Sequence, residues 1–252
     1  MLKPKLMRIV EEVFEIGGNP DPAKDMELRG RILDFLREKD HLVLHSNNIN
    51  LMIARDMIHF LDANKTFAKT ANGKKSYPYA KSFLERLIVS DFNEWHYYEL
   101  KLLSRSIHFT ENIEQAMELA SKAEQRIFQF KGIRLTELIE GALASNMCSR
   151  FLYAKYFDSD VNTELVTSEF KMWIRKIEKL IEEDPYNNQL SFIFLVAKIR
   201  EALFEGYSTS AYQICEELES YPDVKITKLI TDEVHFYANS DEYNNFGLVN
   251  VF

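Results

Sequence analysis

Apolar residues recur at intervals of three, four and seven through residues 91–157, and both flanks of the chain repeat this pattern. Such spacing is typical of amphipathic helices that have neighbours on more than one side. It predicts three consecutive helices joined by short turns, with Thr110 capping the second helix and Lys131-Gly132 ending it. No long run alternates apolar and polar residues as a half-buried strand would. The sequence therefore predicts an all-α protein.

The same periodicity divides the rest of the chain into further helices, about eleven in total. Tyr77-Pro78 opens a helix that extends through Val89, and Thr163 or Thr167 caps a helix that extends to about Glu183. Later helices are predicted over residues 190–204, after the segment Gly206–Thr209 to about Tyr221, and from about 226 to 239. Earlier helices are predicted over 4–16, 22–39 and 48–61, followed by a long polar loop over 62–76.

Short links between consecutive helices predict antiparallel hairpins. The helix pairs recur at roughly 40 residues, within the range of common helical repeats. We therefore expect a right-handed stack of hairpins, a tetratricopeptide-like solenoid, in which each hairpin contacts its neighbours. Residues 1–24 are predicted to form an N-terminal helix and linker, and residues 25–252 the helical repeat domain. The concave surface of such a stack suits an extended peptide or a partner helix.

Charge and composition restrict the partners. The formal net charge is −8, and the acidic excess lies outside residues 1–75, which carry 13 Lys and Arg against 11 Asp and Glu. An acidic body does not attract nucleic acid, so DNA contact is expected only if the N-terminal third contains a helix–turn–helix. Residues 29–61 fit that motif poorly, because the link over 42–48 is long and apolar. No signal peptide or membrane-spanning run is visible, so a cytoplasmic protein without membrane contact is expected.

Motifs for catalysis are absent from the sequence. No glycine-rich phosphate loop occurs, and His96 and Glu99 give only two metal ligands at helical spacing. Cys148 and Cys215 lie inside helical patterns, which favours buried reduced thiols. We expect no enzymatic activity, no cofactor and no metal.

A candidate binding face lies within residues 136–157. Asn146, Arg150 and Tyr153 are spaced by four and then three residues, which places them on one face of a helix. An Asn amide can satisfy both backbone groups of an extended peptide, and Arg can bind its carboxyl terminus. Arg105, beside His108 one helix pair earlier, is a further candidate. The alternative is that Asn146 bonds a neighbouring helix end and Arg150 extends to solvent.

Three segments resemble the C-terminal domain of Rgg/GadR/MutR-type transcriptional regulators of Gram-positive bacteria. They are FNEWHYYELKLLSRSIHF (92–109), LTELIEGALASNMCSRFLYAKYF (135–157) and LFEGYSTSAYQICEEL (203–218). The resemblance covers residues from about 25 to the C-terminus, and Asn146 matches the Asn of the family's peptide groove. The chain departs from the family in having no recognisable N-terminal DNA-binding domain, as a headless relative or a sensor fragment would.

The resemblance implies a homodimeric, quorum-sensing regulator that holds a short peptide pheromone in a concave groove. Peptide binding would then bias the relative orientation of two protomers. The alternative interpretation of the sequence is a helical scaffold that binds another protein constitutively, without a small ligand. A sensor would present polar groups in its groove, whereas a scaffold would present an exposed apolar patch.

Overall fold

Every regular element that the structure describes is helical, as the periodicity predicts. The computed structural model describes residues 77–107, 110–132, 136–158, 161–218 and 224–239, together with the isolated positions 27, 30 and 34. Its eight α-helices are α1 (Tyr77–Val89), α2 (Tyr97–Ser106), α3 (Ile113–Phe130), α4 (Thr136–Phe157), α5 (Thr163–Glu183), α6 (Asn188–Glu205), α7 (Ser208–Leu218) and α8 (Val224–Ala238), with a 3-10 helix at Phe92–Glu94.

The chain divides into two compact units, residues 1–83 and residues 84–252, and the helices from α2 onward belong to the second. The predicted helices over 4–16 and 48–61, the predicted loop over 62–76 and the predicted domain boundary after residue 24 lie outside the described residues. Within the described ranges, no helix is both long enough and apolar enough to cross a membrane.

Asparagine side chains, and not the predicted threonines, cap the N-termini of α3 and α5. Asn112 accepts a hydrogen bond from the backbone N–H of Gln115 at 2.8 Å, and Asn162 accepts two from the first turn of α5. Thr110 lies two residues too early and donates to the carbonyl of Ile107 instead. Thr163 is already the first residue of α5. The other predicted cap, Thr167, lies inside α5 and donates to the carbonyl of Thr163 at 2.7 Å. The helices were therefore predicted in place, whereas all three threonine caps were wrong.

Trp95 and Glu99 fix the start of α2. Trp95 precedes the helix, is buried, and donates from its indole nitrogen to the hydroxyl of Ser90 at 2.7 Å. Glu99 accepts from the backbone N–H of His96 at 2.8 Å and pairs with Arg86, also at 2.8 Å. His96 and Glu99 therefore act as a helix-start pair, which explains their spacing without a metal.

Helix α4 is the centre of the second unit. It packs against α2, α3, α5 and α6, and every residue from position 141 to 152 is buried. Gly141 permits close packing with α6, because a Cβ atom there would lie 3.3 Å from side-chain carbons of Leu190 and Ile193. Contacts also join each even-numbered helix to the next, namely α2 to α4, α4 to α6 and α6 to α8. The middle of α4 is therefore held by neighbours on most sides, and it carries Asn146 and Arg150.

Candidate functional site

Asn146 lies at the contact between α4 and α2 and has no exposed surface. Its amide nitrogen donates to the carbonyl of Ser104, in the last turn of α2, at 2.8 Å. Carbonyls in a last turn lack a partner within their own helix, so the side chain supplies one. In this conformation Asn146 bonds a neighbouring helix end, which is the alternative that the sequence left open.

Arg150, one turn further along α4, is also buried, with 3% of its side chain exposed. One amino group pairs with a carboxylate oxygen of Asp158 at 3.2 Å, and the guanidinium carbon lies 5.7 Å from the centre of the Tyr153 ring. No described residue accepts a hydrogen bond from its Nε. Arg150 therefore does not extend into solvent, and the structure brings it together with Tyr153 as the spacing predicted.

Arg105 lies on α2 beside Ser104, the residue that receives the bond from Asn146. Burial lowers the pKa of Arg105 to about 10. Burial, together with the positive charge of Arg105, lowers the pKa of Lys101 to about 8. Helix α2 therefore carries two partly desolvated cations one helical turn apart.

Five aromatic residues, which we call the C-terminal aromatic cluster, gather where α4 ends near α8. Neighbouring rings lie 4.9 to 6.3 Å apart, centre to centre. Of these rings, Phe157 is partly exposed, whereas Phe236 and Tyr237 are buried. The members of the cluster are Tyr153, Tyr156, Phe157, Phe236 and Tyr237.

The end of α4 also holds the end of α6. The hydroxyl of Tyr156 donates to the carbonyl of Leu203 at 3.1 Å, and the amine of Lys155 donates to the carbonyl of Phe204. A cation at a helix C-terminus is electrostatically favourable. A movement of the end of α4 would therefore alter its contacts with both α6 and α8.

A buried ion-pair network, which the sequence analysis missed, joins α4, α6 and α8. Arg200 donates to both carboxylate oxygens of Glu233, each at 3.0 Å, and also to the carbonyl and hydroxyl of Ser145. Ser149 donates to the same carboxylate at 3.3 Å. The side chains of Arg200 and Glu233 are 0% and 1% exposed. A charged residue inside each apolar stripe was the signal in the sequence, because such residues are rarely buried unless paired.

The described residues offer little reactive chemistry. Burial raises the pKa of the Cys148 thiol to about 12 and that of the Cys215 thiol to about 11, so neither is a ready nucleophile at neutral pH. No group of three or more His, Cys, Asp or Glu residues within the described ranges could hold a metal ion. What this part of the chain does provide is a buried arginine beside partly exposed aromatic rings, which suits binding.

Comparison with models of known protein families, with curated proteins and with solved structures found no match to this chain. The resemblance to Rgg-type regulators therefore remains a prediction from the three sequence segments.

Proposed function

We propose that this chain is the sensor part of a peptide-responsive transcriptional regulator, and that an oligopeptide binds at the C-terminal end of α4. The observation that carries the proposal is the state of Arg150. Its guanidinium is almost fully buried, yet within the described residues it has a single carboxylate partner and an Nε without an acceptor. Buried guanidinium groups normally satisfy more of their donors than this.

A peptide carboxylate would supply the hydrogen-bond acceptor that the guanidinium of Arg150 lacks. The carboxyl terminus or an acidic side chain can accept from Nε and an amino group together, a bidentate geometry that a single bond to Asp158 does not provide. Asp158 is 32% exposed and lies just beyond α4, so it can be displaced. Tyr153 and Phe157 would contact an apolar side chain of the peptide, since both have exposed surface near Arg150.

In this proposal, Asn146 and Arg105 respond to a movement of α2. Asn146 is fully buried and bonded to α2, so a ligand would reach it only after α2 moved away from α4. Such a movement would also change the surroundings of Arg105 and Lys101. Peptide binding would in this way be linked to a displacement of helices, as a sensor requires.

The proposal also concerns the arrangement of the helices and the assembly of the protein. The contacts between successive even-numbered helices support a tetratricopeptide-like stack of hairpins. Its right-handed sense stays a prediction from the sequence. The resemblance to Rgg-type regulators supports a cytoplasmic homodimer that acts in quorum sensing through a DNA-binding head or partner.

Two variants test the site in opposite directions. Isothermal titration calorimetry with a set of short apolar peptides should detect a ligand, and Arg150→Gln should weaken its binding by roughly 10- to 100-fold, the scale of a lost charge-assisted hydrogen bond. Asp158→Asn should tighten binding, because the competing carboxylate is removed. Thermal melts of each variant control for loss of folding. Peptide binding that neither variant changes would place the site elsewhere, and no binding by any peptide would refute the sensor proposal.

The scaffold alternative also has an observation in its favour. The solvent-facing side of α5 combines exposed apolar and basic side chains.

A further inference from the structure

Helix α5 presents an ordered stripe of side chains to solvent, which we call the α5 face. Two of its members are large apolar residues, Leu165 at 39% exposure and Met172 at 37%. An open depression of about 500 Å³ lies along the stripe. The members of the α5 face all have exposed side chains and follow one another at helical spacing, and they are Leu165, Ser168, Lys171, Met172, Arg175 and Lys179.

The positive charges of the α5 face are largely uncompensated. Neither Lys171 nor Arg175 forms an ion pair with any residue that the structure describes, and Lys179 reaches Glu183 only at 3.8 Å. Elsewhere on the same helix, Lys176 pairs with Glu124 of α3. Three cations on one stripe of a chain with net charge −8 form a local reversal of sign, which attracts a negatively charged partner.

The stripe favours a protein helix over nucleic acid. Leu165 and Met172 are spaced by seven residues, two helical turns, and lie along the same line as the cations. Phosphate backbones offer nothing for these apolar side chains to contact, whereas an amphipathic helix does.

We propose that the α5 face is a docking site for an acidic amphipathic helix of a partner protein. The partner carries two carboxylates four residues apart, opposite Lys179 and Arg175, and apolar residues opposite Met172 and Leu165. The distance from residue 165 to residue 179 is about 21 Å along the helix, so the docked helix has about 15 residues. It runs antiparallel to α5, because this orientation places its carboxylates near its own N-terminus, where negative charge is favourable.

The probe is a fluorescein-labelled synthetic helix of about 15 residues. It has Glu at its first and fifth positions, Leu at its eighth and fifteenth, and Ala, Gln and Lys elsewhere. Fluorescence anisotropy with the full chain should show saturable binding that weakens as salt concentration rises. The double variant Arg175→Glu/Lys179→Glu should weaken binding by roughly 10-fold or more. Lys228→Glu, at an exposed position of α8, should leave it unchanged.

Two further variants make the binding test specific to the α5 face. Met172→Ser should weaken the binding of the probe, and a thermal melt of the variant checks that its fold is retained, because Met172 is 37% exposed. Arg150→Gln should leave probe binding unchanged, which separates the α5 face from the proposed peptide site. Equal weakening by the double variant and by Lys228→Glu, or no saturable binding to the wild-type chain, would overturn the proposal. Preferential binding of a short DNA duplex to the same face would overturn it as well.

Discussion

Replacing Glu233 by glutamine would leave the guanidinium of Arg200 charged in a site closed to water. The two side chains are 1% and 0% exposed and meet through two bonds of 3.0 Å. At that distance, with an effective dielectric constant of about 20, their attraction is about 5 kcal/mol. The amide oxygen and Ser145 would retain some hydrogen bonds, so we expect the free energy of unfolding to fall by about 3–5 kcal/mol, as for other broken buried pairs.

Urea unfolding, followed by tryptophan fluorescence, measures this loss directly. Trp95 and Trp173 are both buried in the second unit, so their emission reports its unfolding. The matched control is the exposed pair between Glu118 and Lys122 of α3, in which the Glu side chain is 55% exposed. Glu118→Gln removes a carboxylate by the same chemical change but should cost at most about 0.5 kcal/mol.

A second comparison separates the ion pair from general disruption of the core. The double variant Arg200→Met/Glu233→Leu removes both charges, and it should be more stable than Glu233→Gln, because no unpaired charge stays buried. A loss below about 1 kcal/mol for Glu233→Gln, or a double variant less stable than the single one, would show that Arg200 does not depend on the carboxylate of Glu233.

Three other variants or reactions test separate parts of the structure. Lys101→Met should raise the free energy of unfolding by about 1 kcal/mol at pH 7. The folded-state pKa is lowered to about 8, so the unfolded chain binds more protons above that pH and the wild type regains stability as the pH rises. The stability advantage of Lys101→Met over the wild type should therefore shrink between pH 8 and the ordinary lysine pKa of 10.5. An advantage that did not change with pH would contradict the burial of the Lys101 amine. Asn146→Ala should cost about 1–3 kcal/mol in urea unfolding, and unchanged stability would contradict the bond to Ser104. Cys148 and Cys215 should react with a thiol reagent only as the protein unfolds, and rapid labelling without denaturant would contradict their burial.

Periodicity was sufficient to predict the described helices, because most of them have an apolar stripe that must be buried, whereas α4 is buried on most sides. The caps were harder to assign, since Thr and Asn serve equally well in principle and the choice depends on where the backbone turns. Thr110 closes the end of the preceding segment through the carbonyl of Ile107, which left Asn112 to cap α3.

Tertiary packing decided what the periodicity could not. The spacing of Asn146, Arg150 and Tyr153 placed them correctly on one helix, but which neighbour covers that face depends on α2 and α8. The partners of Arg200 are 33 and 55 residues away in the chain, so no local pattern identifies them. The α5 face could not be predicted either, because the sequence does not show which of its cations lack an ion-pair partner among the described residues.

The most direct test of the central claim, that Arg150 receives a peptide carboxylate, changes the ligand and leaves the protein intact. A peptide found by calorimetry would be compared with the same peptide bearing a C-terminal amide, and, if it contains one, with its acidic residue replaced by the amide. We expect one of these changes to weaken binding by roughly 10- to 100-fold in the wild type and to have little effect in Arg150→Gln. Unchanged affinity of the wild-type chain for both the C-terminal amide and the side-chain amide would contradict the claim.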